Sequence, residues 1–92
     1  MDVIWSSEAK ADFYEGVLWL DARNPEAADR FEHDVQKSVA ILSLHPGLGR
    51  PTTTEGVRIF SLPKWHRRIA YQHLGNFLLI TNIRDTRQEA KD

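Results

Sequence analysis

The hydrophobic period of this chain changes at one place, and the run His45-Pro46-Gly47-Leu48-Gly49-Arg50-Pro51 marks it. Upstream, apolar residues recur every three or four positions; downstream, from Val57, they alternate. Pro46 and Pro51 cannot continue a helix, and Gly47 and Gly49 permit positive φ. Gly56 resets the backbone just before the alternating run begins. The junction is therefore a rigid handover from helices to a sheet, which restricts the chain to an α+β arrangement.

The elements on either side follow from local chemistry. Val3 to Trp5 is a short β-type run, and Ser6 or Ser7 can cap a helix whose first turn carries Glu8 against the positive end of its dipole. Ala9, Phe13, Val17 and Leu20 form its apolar stripe. Arg23-Asn24-Pro25-Glu26 reads as a stop and restart, with Asn24 as N-cap and Pro25 at the first helical position. The second helix carries the stripe Ala28, Phe31, Val35, Val39 and Leu42 and runs to about Leu44, so the two helices are predicted to pair as an antiparallel hairpin. Strands are predicted at Val57 to Leu62, Arg67 to Leu74 and Phe77 to Arg84. Gly75-Asn76 suits a type II′ turn between the last two. Pro63-Lys64-Trp65-His66 is the other hairpin loop, and Thr52 to Glu55 is a polar loop. The order is β-α-α-β-β-β, with the helical hairpin packed on one face of a small, largely antiparallel sheet.

Ninety-two residues are predicted to make a single domain spanning 1–92, because a chain this short buries roughly 60–65% of its unfolded surface and supports one core. The 41% hydrophobic content argues against disorder, and no apolar run is long enough to span a membrane. Met1-Asp2-Val3 gives no basic and apolar leader, and cysteine is absent. These features predict a soluble, cytoplasmic protein without a membrane partner. A net charge of −1 means that any anion-binding role must come from a local patch.

Such a patch has candidates. Arg58, Arg67, Arg68, Arg84 and Arg87, with Lys64, His66 and His73, concentrate in the second half, while the acids cluster in the helices. Guanidinium forks match phosphate or carboxylate. The plainer reading is that alternate strand positions face water. Arg58, Arg68 and Arg84 are favoured because each lies in or at the end of a predicted strand; Arg67 points the opposite way from Arg68. His66 and His73 read as solvated. The histidines at 33, 45, 66 and 73 lack ligand spacing, so neither a metal nor a cofactor is assigned. Trp5 and Trp19 are expected to be partly core. Trp65, among cations in a loop, suits partner recognition or folds back over the sheet. Tyr14, Leu18 and Trp19 lie off the main stripe and widen the apolar arc, as a covered partner surface or as hairpin packing would require.

Trp5-Ser6-Ser7-Glu8-Ala9-Lys10-Ala11-Asp12, Asn24-Pro25-Glu26-Ala27-Ala28 and the junction at 45–51 together resemble the RelE/ParE superfamily of small toxins from type II toxin-antitoxin modules, over nearly the whole chain. In its ribosome-dependent RNases, basic residues on the equivalent strands hold RNA phosphates and a Tyr near the C-terminus contributes to the chemistry. Arg68 and Arg87 fall where two of the family's arginines lie, and Arg58 falls near a family lysine. Phe60 or Ser61 replaces the second lysine, and no Tyr follows Ile83, where Lys91 is the nearest counterpart. General acid or base catalysis needs a titratable group within reach, so the RNase constellation is incomplete. The resemblance therefore implies the ParE branch: a growth inhibitor, associated with plasmid stabilization, that binds DNA gyrase and is neutralised by a cognate antitoxin in a 1:1, 2:2 or higher assembly. On that reading no catalytic residue is assigned. Arg58, Trp65, Arg68, Arg84 and Arg87 meet the target, and Tyr14, Leu18 and Trp19 meet the antitoxin. The alternatives are a RelE-type mRNA endonuclease acting on the ribosome through Arg58, Arg68, Arg87 and His66, or a degenerate member that only binds its antitoxin.

Overall fold

The structure is a computed structural model and describes residues 1–89; Lys91 lies outside them. The chain runs β1 (Asp2–Trp5), α1 (Ser7–Asp21), α2 (Pro25–Leu44), β2 (Arg50–Pro51), β3 (Val57–Leu62), β4 (Arg67–Leu74), β5 (Phe77–Asp85) and α3 (Thr86–Glu89). The strands form one sheet in the order β1-β5-β4-β3-β2. β1 pairs parallel to β5, and the other neighbours are antiparallel. This is the α+β arrangement read from the sequence, with two additions: the short α3 after β5, and β2, which the junction itself contributes and which lies along β3 with Arg50 opposite Ile59. Among the described residues no helix is long and apolar enough to cross a membrane.

Both helices start where the sequence places them. Ser6 rather than Ser7 caps α1: its Oγ accepts from the Ala9 N–H at 2.9 Å and donates to the Thr81 carbonyl at 2.7 Å. One hydroxyl thus ends the helix and ties it to β5. Asn24 Oδ1 accepts from the Ala27 N–H at 3.2 Å, and Pro25 occupies the first turn of α2. The predicted α2 stripe is buried throughout, and Phe31, Val35 and Leu42 join Ile69, Tyr71, Leu78 and Ile80 of the sheet in the core. Trp5 packs on this core through Phe13, with ring centroids 5.3 Å apart. Gly16 is buried where α1 crosses α2, and a Cβ there would sit 3.0 Å from the Phe31 ring. The helices approach closely because that atom is missing.

The sheet places side chains by register. Phe60 and Leu62 of β3 and Ile69 and Tyr71 of β4 face the helices, so Arg58 and Arg67, their alternates, share that face. Ile59, Ser61, Arg68 and Ala70 take the other. At Gly75, φ is +57°, whereas Asn76 has no positive φ, which fits the type II′ turn. In the other hairpin a 3-10 turn, Pro63–Trp65, ends at His66 in the left-handed region with φ 53°. β5 is irregular. Tyr71 stands opposite Ile80 but Ala70 opposite Asn82, so Thr81 is a bulge and the register shifts by one residue.

β5 also outruns β1, which leaves its far end without a strand neighbour on that side. The start of α1 covers it: Ser6 N–H donates to the Ile80 carbonyl at 3.0 Å, and Asp12 Oδ2 accepts from the Ile83 N–H at 2.9 Å. An edge that could recruit another strand is thereby closed by one backbone donor and one side-chain acceptor.

Candidate functional site

The register shift decides what gathers at the end of β4 and β5. Counting back from the Gly75-Asn76 turn without a bulge would set Arg67 against Arg84. With Thr81 bulged, Arg67 faces Asp85 and Arg68 faces Arg84. Arg67 Nη1 lies 3.2 Å from Asp85 Oδ2, both side chains being largely buried at 15% and 20% exposure. Arg87 grips the same carboxylate: its backbone N–H and Nε donate to Oδ1 at 2.9 and 3.3 Å, and its Nη2 to Oδ2 at 3.1 Å. Hydrogen bonding from Arg87 foremost, with the charge of Arg67 in support, holds the Asp85 carboxyl below its usual range against the opposing effect of burial. Arg67 also donates from Nη1 to the Trp65 carbonyl at 3.1 Å. Asp85 thus orients two guanidiniums at the mouth of a groove.

Aromatic rings line that groove. Trp65 is folded back onto the helices rather than held out in its loop: its ring meets Phe31 edge-on at 5.4 Å, and its Nε1 donates to Asp34 Oδ2 at 2.8 Å. That hydrogen bond, ahead of the neighbouring Lys64 charge, lowers the Asp34 pKa. Trp19 stands across from it. The residue is 49% exposed and does not pack on the core cluster, so the expectation of a partly core Trp19 is corrected. It leaves the stripe of α1 and is covered instead by the Arg23 guanidinium, 3.9 Å above the ring centroid. Trp19, Phe31, Trp65, Arg67 and Arg87 enclose a cleft of about 120 Å³, with Lys64 and His66 on its rim. It opens beside a larger and more polar hollow of about 300 Å³, where Arg84 and Asp85 meet Asp12, Glu15 and Gly16 of α1.

The remaining candidates lie elsewhere. Arg84 ion-pairs with Glu8 of α1, and both are about half exposed. Arg68, opposite Arg84, is on the face away from the helices. Arg58 is engaged with the junction, its Nη1 donating to the Gly49 carbonyl at 2.6 Å. Its cross-strand partner Tyr71 does the same: Oη accepts from the Gly49 N–H and donates to the Pro46 carbonyl, both at 2.8 Å. Tyr14 and Leu18 are exposed on α1, as the wide arc implied. Leu18 and Trp19 are consecutive and so diverge by about 100° around the helix. The three residues assigned to one antitoxin surface therefore divide between two places. His33, His45, His66 and His73 are exposed, and among the described residues no cluster could hold a metal ion.

Sequence reasoning missed Asp85, Arg67 and Phe31 as parts of one site. A signal for Asp85 was present in Asp85-Thr86-Arg87, where an Asp begins a helical turn. No sequence signal announced the bulge that sets Asp85 against Arg67.

Two comparisons bear on what this arrangement is. A family model described as ParE toxin of type II toxin-antitoxin system, parDE, matches residues 3–90. A chain of the solved chromosomal ParDE TA system from P. aeruginosa is 26% identical to this one and superposes with a TM-score of 0.80, over 92% of this chain and 95% of that one. No curated protein matches. The fold and the ParE branch implied by the sequence agree with both matches, and the chain belongs to the ParE toxin family of type II toxin-antitoxin systems.

Proposed function

We propose that this toxin acts by binding DNA gyrase through the arginine-bearing end of its sheet, and that a cognate antitoxin neutralises it. The observation that carries this reading is the dispersal of the RNase candidates. Arg68 faces away from the helices, Arg87 is committed to Asp85 at the helical side, and Arg58 clamps the junction. In-line attack by a 2′-hydroxyl needs charge stabilisation and proton transfer converging within hydrogen-bond reach of one phosphate. Residues spread over both faces of the sheet, with Arg58 drawn to the junction, do not converge. A binding surface has no such requirement, and Arg84, Arg87 and Trp65 offer cations and an aromatic of the kind enriched at interface hot spots.

The test adds purified protein to a gyrase supercoiling reaction and, separately, to a translation reaction followed by primer extension on the mRNA. The expected outcome is loss of supercoiling with intact mRNA. Codon-dependent cuts with normal supercoiling would replace this reading with the endonuclease. A combined expression experiment checks the second half: co-expression of a cognate antitoxin is expected to restore growth.

A further inference from the structure

Trp65 lines a further recess, on the side of α2. Between α2 and the 3-10 turn lies a groove of about 270 Å³ whose apolar walls are Ile41, Leu62, Pro63 and Trp65. It falls just under the roughly 300–1,000 Å³ of drug-sized sites, so one ring with a short tail fits within it whole. Lys37 and Lys64 stand on its rim, both exposed, and Asp34 is the one carboxylate in its lining. Asp34 is already engaged: its Oδ2 accepts from Trp65 Nε1 at 2.8 Å and lies 3.8 Å from Lys64 Nζ. Lys37 makes no ion pair among the described residues. The other acids of α2 do not offset it. Glu32 and Asp29 lie about 160° and 140° around the helix from Asp34, and Glu26 lies about 12 Å along it. Arg30, one turn ahead of Asp34, adds to the positive side. Asp12, Glu15 and Asp85 belong to the separate hollow beside Trp19.

We infer that this groove binds a small aromatic monocarboxylate, with its ring on the apolar walls and its carboxylate meeting Lys37 and Lys64 on the rim. The inference is independent of the gyrase reading. Removing the ring from water supplies the affinity, in proportion to the apolar area covered. The Trp65 wall is fixed before the ligand arrives, by the hydrogen bond to Asp34 and the edge-on contact with Phe31 at 5.4 Å, so little ordering is left for binding. The rim selects the charge. Ammonium groups on flexible stems act as point charges and can follow a single carboxylate. A cation would meet like charge there. A dianion such as phosphate would set a second negative charge beside Asp34 and has more hydration to lose.

Hydrocinnamate is the probe, titrated into the full chain beside its uncharged amide, the cation phenylpropylamine, and propionate, which lacks the ring. NMR follows the methyl groups of Ile41 and Leu62 inside the groove and the indole N–H signals of Trp5 and Trp19 outside it. The expected result is saturation at Ile41 and Leu62 with a Kd of about 1 mM, in keeping with a ligand this small. Trp5 and Trp19 are expected not to move. The amide is expected to bind about fivefold more weakly, because two exposed ion pairs are lost. The amine and propionate are expected not to saturate. Lys37→Gln is expected to weaken hydrocinnamate about threefold and leave the amide unchanged. No saturation by hydrocinnamate, equal binding of acid and amide, or saturation by propionate would overturn the assignment. Shifts led by Trp19 would put the ring in the neighbouring cleft and equally overturn it. Methyl shifts that follow protein concentration without ligand would give the groove to a second copy of the chain. Tighter binding of a peptide ending in phenylalanine with a free carboxylate would give it to a protein chain end.

Discussion

Tyr71 shows how one buried hydroxyl can hold a loop whose own sequence only breaks helices. Its Oη serves both the Gly49 N–H and the Pro46 carbonyl, and the ring is fully buried. Tyr71→Phe keeps the ring but strands a buried donor and an acceptor, which costs roughly 1–3 kcal/mol. Urea unfolding is expected to show that loss; a midpoint equal to the parent's would mean that water replaces the hydroxyl. Asp85 is the second residue with a measurable signature. Because Arg87 hydrogen bonds and the Arg67 charge depress its folded pKa below 3.8, its contribution is complete above the unfolded value. It is lost as pH falls through the lower folded one. Asp85→Asn is therefore expected to be less stable than the parent at neutral pH, and the gap is expected to narrow once pH drops below that range. Urea midpoints along an acid series read this, and a constant gap would show that Asp85 acts through packing alone.

At the level of elements, Gly16 and Phe31 set two known effects against each other. Gly16→Ala gains about 1 kcal/mol of helix propensity. The new Cβ would lie 3.0 and 3.1 Å from ring atoms of Phe31. That ring is 1% exposed and held between Phe13 and Trp65, so it has little room to yield, and overpacking costs about 1–3 kcal/mol. The clash is expected to win, lowering the melting temperature and shifting the Trp65 indole signal. A more stable variant would show that the helix hairpin can open slightly. The contrast also shows what was legible in the sequence. Ser6, Asn24, Pro25 and Gly75-Asn76 act on their own backbone neighbours, and the α2 stripe from Ala28 to Leu42 recurs over about four turns, so local pattern suffices for them. β2 is too short for a pattern, pairing through Arg50 and Pro51 alone. The Thr81 bulge leaves no composition cue, yet it decides that Arg67 meets Asp85 rather than Arg84. Trp19 and Trp65 come together only because Gly16 lets α1 settle against α2 and His66 turns the hairpin back. Such convergence depends on tertiary packing that no single segment encodes.

For the whole molecule the consequence is two separable surfaces. One end of the sheet gathers Trp19, Trp65, Arg67, Arg84 and Arg87, where the target is proposed to bind. Tyr14 and Leu18 form a second apolar patch on α1, 63% and 49% exposed, and it includes none of the arginines assigned to the target. An antitoxin long enough to cover both gains affinity from each, whereas the target needs only the first. Leu18→Arg is therefore expected to escape neutralisation while still inhibiting growth. Being on the surface, it is expected to change stability by no more than about 0.5 kcal/mol. If Leu18 is an interface anchor, the loss is about 2 kcal/mol or more, at least about 30-fold in antitoxin Kd. Arg87→Ala is expected to weaken growth inhibition, because Arg87 belongs to the proposed target surface. Growth assays with and without antitoxin, beside calorimetric Kd values for both variants, separate the surfaces. If Leu18→Arg remains fully neutralised at unchanged Kd, the α1 patch takes no part in antitoxin recognition, and its exposure needs another cause.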